Sequence, residues 1–322
     1  MTYVPETRGE PLARHEASIL SPLRYPGSKR QLSGYVAECL RLNDYRPRLF
    51  VEPFAGGASV ALQLLSDDLV DAVALGERDP LVASFWKVVF REPDWLISKI
   101  KRVTVSVNNW RRFKNGRWTT DKQRALACIF LNRTSFSGIL RQTAGPIGGT
   151  SQKSAYPIDC RFNRETLVRR IEQAAALSDR ILFVQRSDWA KTMSRVHALN
   201  YSKDEVFYYI DPPFFAKADR LYNYSFTQPD HVALRKAVLK LKPAWLLSYD
   251  AAPWIRQQYL LNGHGPKHVD LLYSGGRRQA RELIISNLPI LPRQTRVWRT
   301  VAEWNGQRSG WVGQPSVDRH GR

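Results

Sequence analysis

The amino-acid sequence predicts an α/β fold built on an open, mostly parallel, seven-stranded sheet. Short apolar strands alternate with helical patterns over most of the chain, which favours parallel pairing with right-handed crossovers. The last two strands are separated only by SGGRRQAR, which suits a terminal antiparallel hairpin at the sheet edge. A long segment between the second and third strands breaks this rhythm. It predicts a smaller, mostly helical domain inserted into the sheet domain.

The strands are predicted from short apolar runs, and the helices from apolar positions that recur with the helical period. In chain order, strands are expected at Leu49–Glu52, Ala72–Leu75, Ile181–Gln185, Val206–Ile210, Ala244–Ser248, His268–Tyr273 and Leu283–Ser286. Helices are expected to begin near Arg30, Ala58, Leu81, Asp121, Arg164, Trp189, Gln228 and Ala252.

The inserted domain is predicted over residues 91–162, between the two parts of the sheet domain, residues 20–90 and 163–290. The insert is helical and basic at first, and then rich in Gly, Ser and Thr. Residues 1–19 and 291–322 show little periodicity and are expected to form loosely ordered tails.

Lys and Arg outnumber Asp and Glu by 49 to 29, which gives a net charge of +20 over 322 residues. This excess indicates a polyanionic partner; nucleic acid is favoured over an anionic membrane surface. No apolar stretch approaches the roughly 20 residues of a membrane span. The three cysteines are far apart and fit neither zinc spacing nor a disulfide framework, which favours the cytoplasm.

The first chemical motif is LFVEPFAGGASVAL, residues 49–62, in which a strand runs through small residues into a helix. Small residues allow close approach of a ligand, and a helix N-terminus offers free N–H groups. The motif fits neither a dinucleotide-binding G-x-G-x-x-G nor a P-loop. Glu77 follows about 20 residues later, where an acid can accept hydrogen bonds from ribose hydroxyls. Together they predict a nucleoside-containing cofactor, bound by Glu52, Pro53, Phe54, Gly56, Gly57 and Glu77.

The second motif is EVFYYIDPPFFAK, residues 205–217, where a core strand ends at Asp211, Pro212, Pro213 and Phe214. Open α/β sheets bind ligands at the carboxyl ends of their strands. A carboxylate and a fixed prolyl carbonyl form two acceptors that match one planar NH2 group, and the adjacent aromatic ring can stack on the heterocycle that carries it. The site is therefore predicted to receive an aminated heterocycle or an amide.

With these motifs the chain resembles the Dam-type DNA adenine-N6 methyltransferases, of the class with the cofactor motif first, then the recognition domain, then D-P-P-Y/F. The resemblance covers roughly residues 20–290. It rests on LRYPGSK (23–29), EPFAGGAS (52–59), LGERD (75–79), FLNRTSFSGILR (130–141), DPPF (211–214) and ELIISN (282–287).

The resemblance implies a Rossmann-like methyltransferase sheet and S-adenosylmethionine as methyl donor, without a metal. Tyr25 and Lys29 should border the cofactor, Glu77 should hold its ribose in place of the family's more usual Asp, and Asp188 should contact its adenine ring. Asp211 and the Pro212 carbonyl should accept the two hydrogens of adenine N6, with Asp211 also bordering the cofactor. Phe214 should stack on an adenine flipped out of the duplex.

The resemblance also implies a DNA-binding surface. Phe136 matches an aromatic residue that wedges into the duplex, and Arg141 matches an arginine that reads guanine, with Ser137 between them. A core phenylalanine and a phosphate-binding arginine would look alike in sequence. Arg277 and Arg278 in the predicted hairpin are further phosphate-contact candidates. The family's usual G-E-F-N-V-P continuation is replaced here by AGPIGGTSQKSAYPIDC, so GATC specificity is not implied.

Several alternatives stay open from sequence. The acceptor could be cytosine N4, RNA adenine or a protein amide, and the chain could be a catalytically silent DNA-binding subunit. The motif order, the aspartate and the long basic insert favour adenine in double-stranded DNA. The sequence does not decide whether the protein works with a cognate restriction endonuclease or alone, nor whether it is associated with a bacterial nucleoid or encoded by a phage.

Overall fold

The computed structural model describes residues 19, 21–24, 29–215, 223–260, 265–273, 278–293 and 296–297, with the backbone alone for 272–273, 278–280 and 296–297. These residues form a single sheet with helices packed against both faces. Its strands are β1 (Leu49–Glu52), β2 (Ala72–Glu77), β3 (Ile181–Arg186), β4 (Val206–Ile210), β5 (Ala244–Asp250), β6 (Lys267–Tyr273), β7 (Arg278–Ser286) and β8 (Arg296–Val297).

The strand order is β3-β2-β1-β4-β5-β7-β6-β8. The first five strands are parallel, and β7 runs antiparallel to both β5 and β6. This confirms the predicted mostly parallel sheet with a terminal antiparallel hairpin. The structure adds the two-residue strand β8, which pairs with the outer side of β6 and was not predicted.

The helices of the described residues alternate with the parallel strands, except for a group of five between β2 and β3. Their bounds are α1 (Leu32–Leu42), α2 (Ser59–Ser66), α3 (Pro80–Arg91), α4 (Pro93–Arg102), α5 (Val107–Asn115), α6 (Asp121–Thr134), α7 (Arg164–Ala175), α8 (Trp189–His197), α9 (Gln228–Val238) and α10 (Pro253–Leu260). Two of these helices, α4 and α5, were not predicted from the sequence. No helix in the described part of the chain combines the length and apolar character that a membrane span needs.

Strands β1 and β4 lie side by side at the centre of the sheet, with Val51 opposite Tyr208. Every residue of both strands is buried, because helices cover both faces. This explains their continuous apolar runs, which are typical of central parallel strands. Since parallel strands end at the same edge, the glycine turn after β1 and the D-P-P-F segment after β4 become neighbours in space.

Two hydrophobic clusters occupy the two faces of the sheet, because successive strand residues point to opposite sides. Phe50 packs in one cluster and Val51 in the other. The cluster that contains Phe50 extends into the predicted insert through Trp110 of α5 and Phe130 of α6, and it also includes Ile171 of α7, which follows the insert. The helices of the insert therefore share a core with the sheet.

Candidate active site

The turn after β1 is a tight backbone loop that is fixed against β2 and α3. Gly56 and Ala58 both have left-handed backbone conformations, with φ of 45° and 47°. The Ala55 N–H donates to the Gly76 carbonyl at 2.9 Å, and Trp86 Nε1 donates to the Gly56 carbonyl at 2.8 Å. A glycine tolerates such a φ without steric cost, so it suits the first of these two positions.

Glu77, the last residue of β2, reaches back to this turn. Its two oxygens accept hydrogen bonds from the backbone N–H groups of Gly56 at 2.9 Å and Asp79 at 2.8 Å. Burial and the nearby Asp79 raise the pKa of Glu77 to about 7, and the backbone bonds oppose that rise. Each carboxylate oxygen still has a second lone pair, so Glu77 can also accept from a ligand hydroxyl.

Glu52, the last residue of β1, is a second buried acid in the same region. Its Oε1 accepts from the Ala61 N–H at 2.9 Å, which ties the strand to the first turn of α2. Burial raises the pKa of Glu52 to about 8, and the charge of Asp211 adds to the rise. Two carboxyl groups with raised pKa values therefore surround the glycine turn.

Asp211 follows β4 directly and is held by one of its two oxygens. Asp211 Oδ1 lies 3.0 Å from Lys29 Nζ and accepts from the Ser248 hydroxyl at 2.8 Å. Among the described residues, Oδ2 has no hydrogen-bond partner, and 22% of the side-chain surface is exposed. Burial raises the pKa of Asp211, while the Lys29 charge and the two hydrogen bonds lower it. The carboxylate is oriented by the protein and keeps one oxygen for a ligand.

Lys29 is buried and links three elements of the site. Besides Asp211, its ammonium lies 3.8 Å from Glu282 Oε1 in β7 and 4.6 Å from the centre of the Phe214 ring. Lys29 was predicted to border the cofactor, and it does line the pocket described next. Its shortest charged contact, however, is to Asp211, which the sequence did not indicate.

A pocket of about 340 Å³ opens at this edge of the sheet. The glycine turn, the ends of β2 and β4 and the start of α8 form its walls, and Phe54, Trp189, Tyr224 and Phe226 contribute aromatic surface. The predicted site residues that line it are Lys29, Glu52, Pro53, Phe54, Gly56, Gly57, Glu77, Asp188, Asp211, Pro212 and Pro213.

Asp188 caps α8, where its Oδ1 accepts from the Lys191 N–H at 2.8 Å. Asp188 lies just after β3, whereas Asp211 lies just after β4. In the sheet, β2 and β1 separate these two strands. Asn223 also lines the pocket, and its side-chain amide donates to Asp79 Oδ2 at 2.8 Å. Neither Asn223 nor Asp79 was singled out in the sequence; a polar residue within the aromatic stretch LYNYSF was the only signal.

The predicted DNA-binding residues lie apart from this pocket. Phe136 stands in a short turn after α6 with 67% of its surface exposed, although it is a large apolar residue. Ser137 has a left-handed backbone, with φ of 55°. Arg141 is half-buried, and the buried Lys114 donates to its backbone carbonyl. Burial lowers the pKa of Lys114 to about 8.

Three predicted residues cannot be placed fully. Tyr25 and Arg277 lie outside the described residues, and Arg278 begins β7 with only its backbone described. In the basic stretch that precedes α6, Arg111, Arg112 and Arg117 are exposed, whereas Trp110 and Phe113 are core residues. The alternation of basic and aromatic residues there is explained by amphipathic packing.

Ser248 and Glu282 are the functional candidates that sequence reasoning missed. Ser248 is fully buried in β5 and joins Asp211 to the Tyr209 hydroxyl, which lies 3.1 Å from its own. Glu282 is buried in β7 within reach of Lys29. In each case the sequence signal was a polar residue inside an apolar strand, in WLLSYD and in RELIIS. Such a residue needs a hydrogen-bond partner when it is buried.

The sheet order and the acidic, glycine-lined pocket define a Rossmann-like methyltransferase. A model of the D12 class N6 adenine-specific DNA methyltransferase family matches residues 25–269. Because this range covers well over half of the chain, the protein belongs to that family and is an adenine-specific DNA methyltransferase. A comparison with curated proteins gives no match. The family decides between the alternatives above in favour of adenine, of DNA and of an active enzyme, and it implies the use of S-adenosylmethionine.

Proposed function

We propose that this enzyme methylates N6 of adenine at a specific site in double-stranded DNA, after flipping the base out of the helix. The observation that carries the proposal is the Asp211 carboxylate. Lys29 and Ser248 fix one of its oxygens, and the other has no partner among the described residues. A preorganised acceptor at the end of a central strand is what the transfer to an exocyclic amine needs.

The residues of the pocket fit S-adenosylmethionine, which supplies an electrophilic methyl group when bound. The turn at Gly56 offers backbone that a ligand can approach closely, and Glu77 retains acceptor capacity for ribose hydroxyls. Asp188, with Trp189 beside it, lines the same pocket and would contact the adenine ring. Glu52 is buried near Asp211 with a raised pKa, and a bound cationic ligand would lower that pKa and favour its ionised form.

The acceptor amine is a poor nucleophile because its lone pair is delocalised into the ring. Asp211 Oδ2 and the Pro212 carbonyl would accept its two hydrogens, which lets the nitrogen pyramidalise and frees the lone pair. Lys29 and Ser248 keep the carboxylate ionised and aligned. Catalysis then comes from positioning and from fixed charge.

Base flipping is required because N6 of a stacked, paired adenine cannot reach a pocket at the sheet edge. Phe214, with Lys29 on its ring, would stack on the extruded adenine. The exposed Phe136 would enter the duplex, and Arg141 would read a guanine through O6 and N7. The proposal holds with or without a cognate restriction endonuclease, since a solitary enzyme would need the same site.

The test is single-turnover transfer of labelled methyl to duplex DNA that carries a fluorescent adenine analogue as a flipping reporter. We expect labelled N6-methyladenine after nucleoside digestion and a fluorescence increase that precedes transfer. Label on another nucleoside, or transfer without any fluorescence change on a duplex that is efficiently methylated, would contradict the acceptor or the flipping step respectively. Sequencing of methylated DNA would give the target sequence.

A further inference from the structure

Four arginines gather beside the segment that carries Phe136. Arg133 belongs to α6 and Arg170 to α7. Arg161 lies in the loop before α7, and Arg24 lies in the described segment 21–24. Arg133 donates to the Pro22 carbonyl, and Arg170 Nη1 donates to the Ser21 carbonyl at 3.4 Å. Two of the guanidinium groups are thus anchored on the backbone of residues 21–24, and we call the four the arginine cluster.

The arginine cluster has no counter-charge in the described part of the chain, where no carboxylate forms an ion pair with any of the four. Arg24 Nη1, Arg133 Nε and Arg170 Nε are buried without a hydrogen-bond partner. Burial lowers the pKa of Arg133 to about 9, and the charges of Arg170, Arg24 and Arg161 lower it further. Burial and the charge of Arg161 likewise lower the pKa of Arg24.

The arginine cluster is open on one side. Arg133 is only 7% exposed, Arg24 and Arg170 are half-buried, and Arg161 is exposed. Like charges that are withdrawn from water without an anion are unfavourable, because neither solvent nor a partner stabilises them. The arrangement becomes favourable when an external anion meets the accessible nitrogens of Arg24, Arg161 and Arg170, with the charge of Arg133 behind them.

Asn132 fixes the position of this opening relative to the Phe136 turn. Its Oδ1 accepts from the Arg24 N–H at 2.7 Å, and its Nδ2 donates to the carbonyls of Arg24 at 2.9 Å and Gly138 at 3.0 Å. Gly138 has φ of 74°, and a Cβ there would lie 2.4 Å from the Arg24 carbonyl oxygen. Only glycine permits this contact, so the turn and the arginine cluster are held as one surface.

We propose that the arginine cluster binds phosphate groups in the backbone of the same DNA duplex that Phe136 enters. The position of that duplex beside Phe136 rests on the proposed function. Guanidinium groups match phosphate oxygens in charge and in bidentate geometry. The net charge of +20 favours a polyanion over an isolated small anion. A backbone contact at this place sets the register of the duplex and carries no sequence information.

The test measures affinity for a duplex of random sequence against salt concentration, using the full chain. The variant carries Arg161→Gln and Arg170→Gln, which remove two charges outside the buried core. The matched control is Lys203→Gln, which removes an exposed cation in the turn just before β4, outside the arginine cluster. We expect the slope of log K against log salt to fall by about 1–2 units in the double variant, and to stay as in wild type in the control.

A second readout uses Cys160, which is exposed and within electrostatic range of Arg24, whereas Cys39 and Cys128 are buried. Maleimide labelling of Cys160 in folded protein should slow when the random duplex saturates the enzyme. Neither readout depends on methylation, so a failure of the proposed catalytic role of Asp211 would leave both results unchanged.

An unchanged salt slope in the double variant, or a labelling rate that saturating duplex leaves unchanged, would overturn the proposal. Unaltered DNA binding with a lowered melting temperature would do so as well, because it assigns the arginine cluster to carboxylates of the chain itself. The methyl-transfer rate at saturating DNA should equal that of wild type, since no atom of the arginine cluster belongs to the pocket.

Discussion

The pocket and the inserted helices both bury charged side chains, and they satisfy them in different ways. In the pocket, Asp211 meets Lys29 and Ser248, and Glu77 accepts two backbone N–H groups. Arg133 of α6 and Arg170 of α7, in contrast, donate only to backbone carbonyls among the residues that the structure describes. The pocket is therefore organised without its ligands, whereas the arginine cluster lacks a counter-charge among the described residues, which a bound DNA phosphate would supply under our proposal.

This contrast separates the expected effects of mutation. A pocket variant should change chemistry or cofactor affinity and leave the salt dependence of DNA binding as it is. A variant on the DNA side should change the salt dependence of DNA affinity or the target sequence. It should leave the rate of methyl transfer within the enzyme–DNA complex unchanged.

The largest effect is expected at Asp211. Asp211→Ala removes the acceptor for the substrate amine, and methyl transfer should fall by at least about 100-fold, the scale of losing one preorganised electrostatic group. Asp211→Asn should also be severely impaired, because it presents an NH2 group toward an amine. Single-turnover transfer is the measurement, with folding monitored by circular dichroism. A folded Asp211→Ala protein that methylates at nearly the wild-type rate would show that this is not the catalytic site.

Glu77→Ala tests the cofactor side of the pocket. S-adenosylmethionine affinity should weaken by about 1.5–3 kcal/mol, the usual worth of hydrogen bonds to a charged group. Glu77 also accepts from the N–H groups of Gly56 and Asp79, and Glu77→Gln is the comparison variant that keeps the side-chain shape and one of these two acceptors. Calorimetric titration with the cofactor gives both affinities. Wild-type affinity in Glu77→Ala would remove Glu77 from the cofactor site.

Arg141→Ala distinguishes base reading from phosphate binding on the DNA side. If Arg141 reads a guanine, the variant should lose about 1–3 kcal/mol on the true target and accept other bases at one position. The buried Lys114 on the carbonyl of Arg141 holds the backbone in both proteins. Target profiling of methylated DNA is the measurement. Uniform weakening on all sequences, with a reduced salt slope, would make Arg141 a phosphate contact.

Lys29→Met tests whether the ammonium keeps Asp211 ionised. Lys29 lowers the pKa of Asp211, so its removal should raise that pKa and increase the protonated fraction at neutral pH. Methyl transfer should fall by about 10-fold near pH 7, as expected for the loss of one ionic hydrogen bond, and should recover in part as the pH rises. The rate–pH profile at saturating cofactor is the measurement. A uniform loss at every pH would assign Lys29 to the cofactor alone.

The smallest effect concerns stability. Burial raises the pKa of Glu52 from 4.5 in the unfolded chain to about 8 in the folded protein. The folded state therefore holds a proton that the unfolded state releases, and the free energy of unfolding should fall as the pH rises through this interval. Glu52→Gln keeps an acceptor for the Ala61 N–H and should be more stable than wild type near pH 8, by at least about 1.4 kcal/mol, the equivalent of one pKa unit.

Denaturant unfolding of the ligand-free protein over this pH range measures that difference. Parallel curves for wild type and Glu52→Gln would contradict the raised pKa.

Much of the sheet was predictable because its signals are local. The apolar runs of β1 and β4 and the turns that follow them carry strand, boundary and chemistry within a few residues. Lys29 shows the limit. Its pairing with Asp211 joins residues far apart in the chain, and no pattern near either one indicates it. The helices α4 and α5 escaped prediction because polar and charged residues make up half or more of each helix, and only a narrow apolar face packs against α3, α6 and α7.

Phe50 in the sheet and Phe130 in α6 belong to one hydrophobic cluster, and this has a consequence for how the protein unfolds and can be rebuilt. A shared core makes the melting of the insert and of the sheet a single cooperative event, which calorimetry would record as one transition. A chimera that exchanges the whole insert would have to reconstruct the part of that core that the insert supplies. Within residues 136–157, Leu140 alone packs against this cluster, so an exchange of that segment with Leu140 retained would leave the shared packing in place.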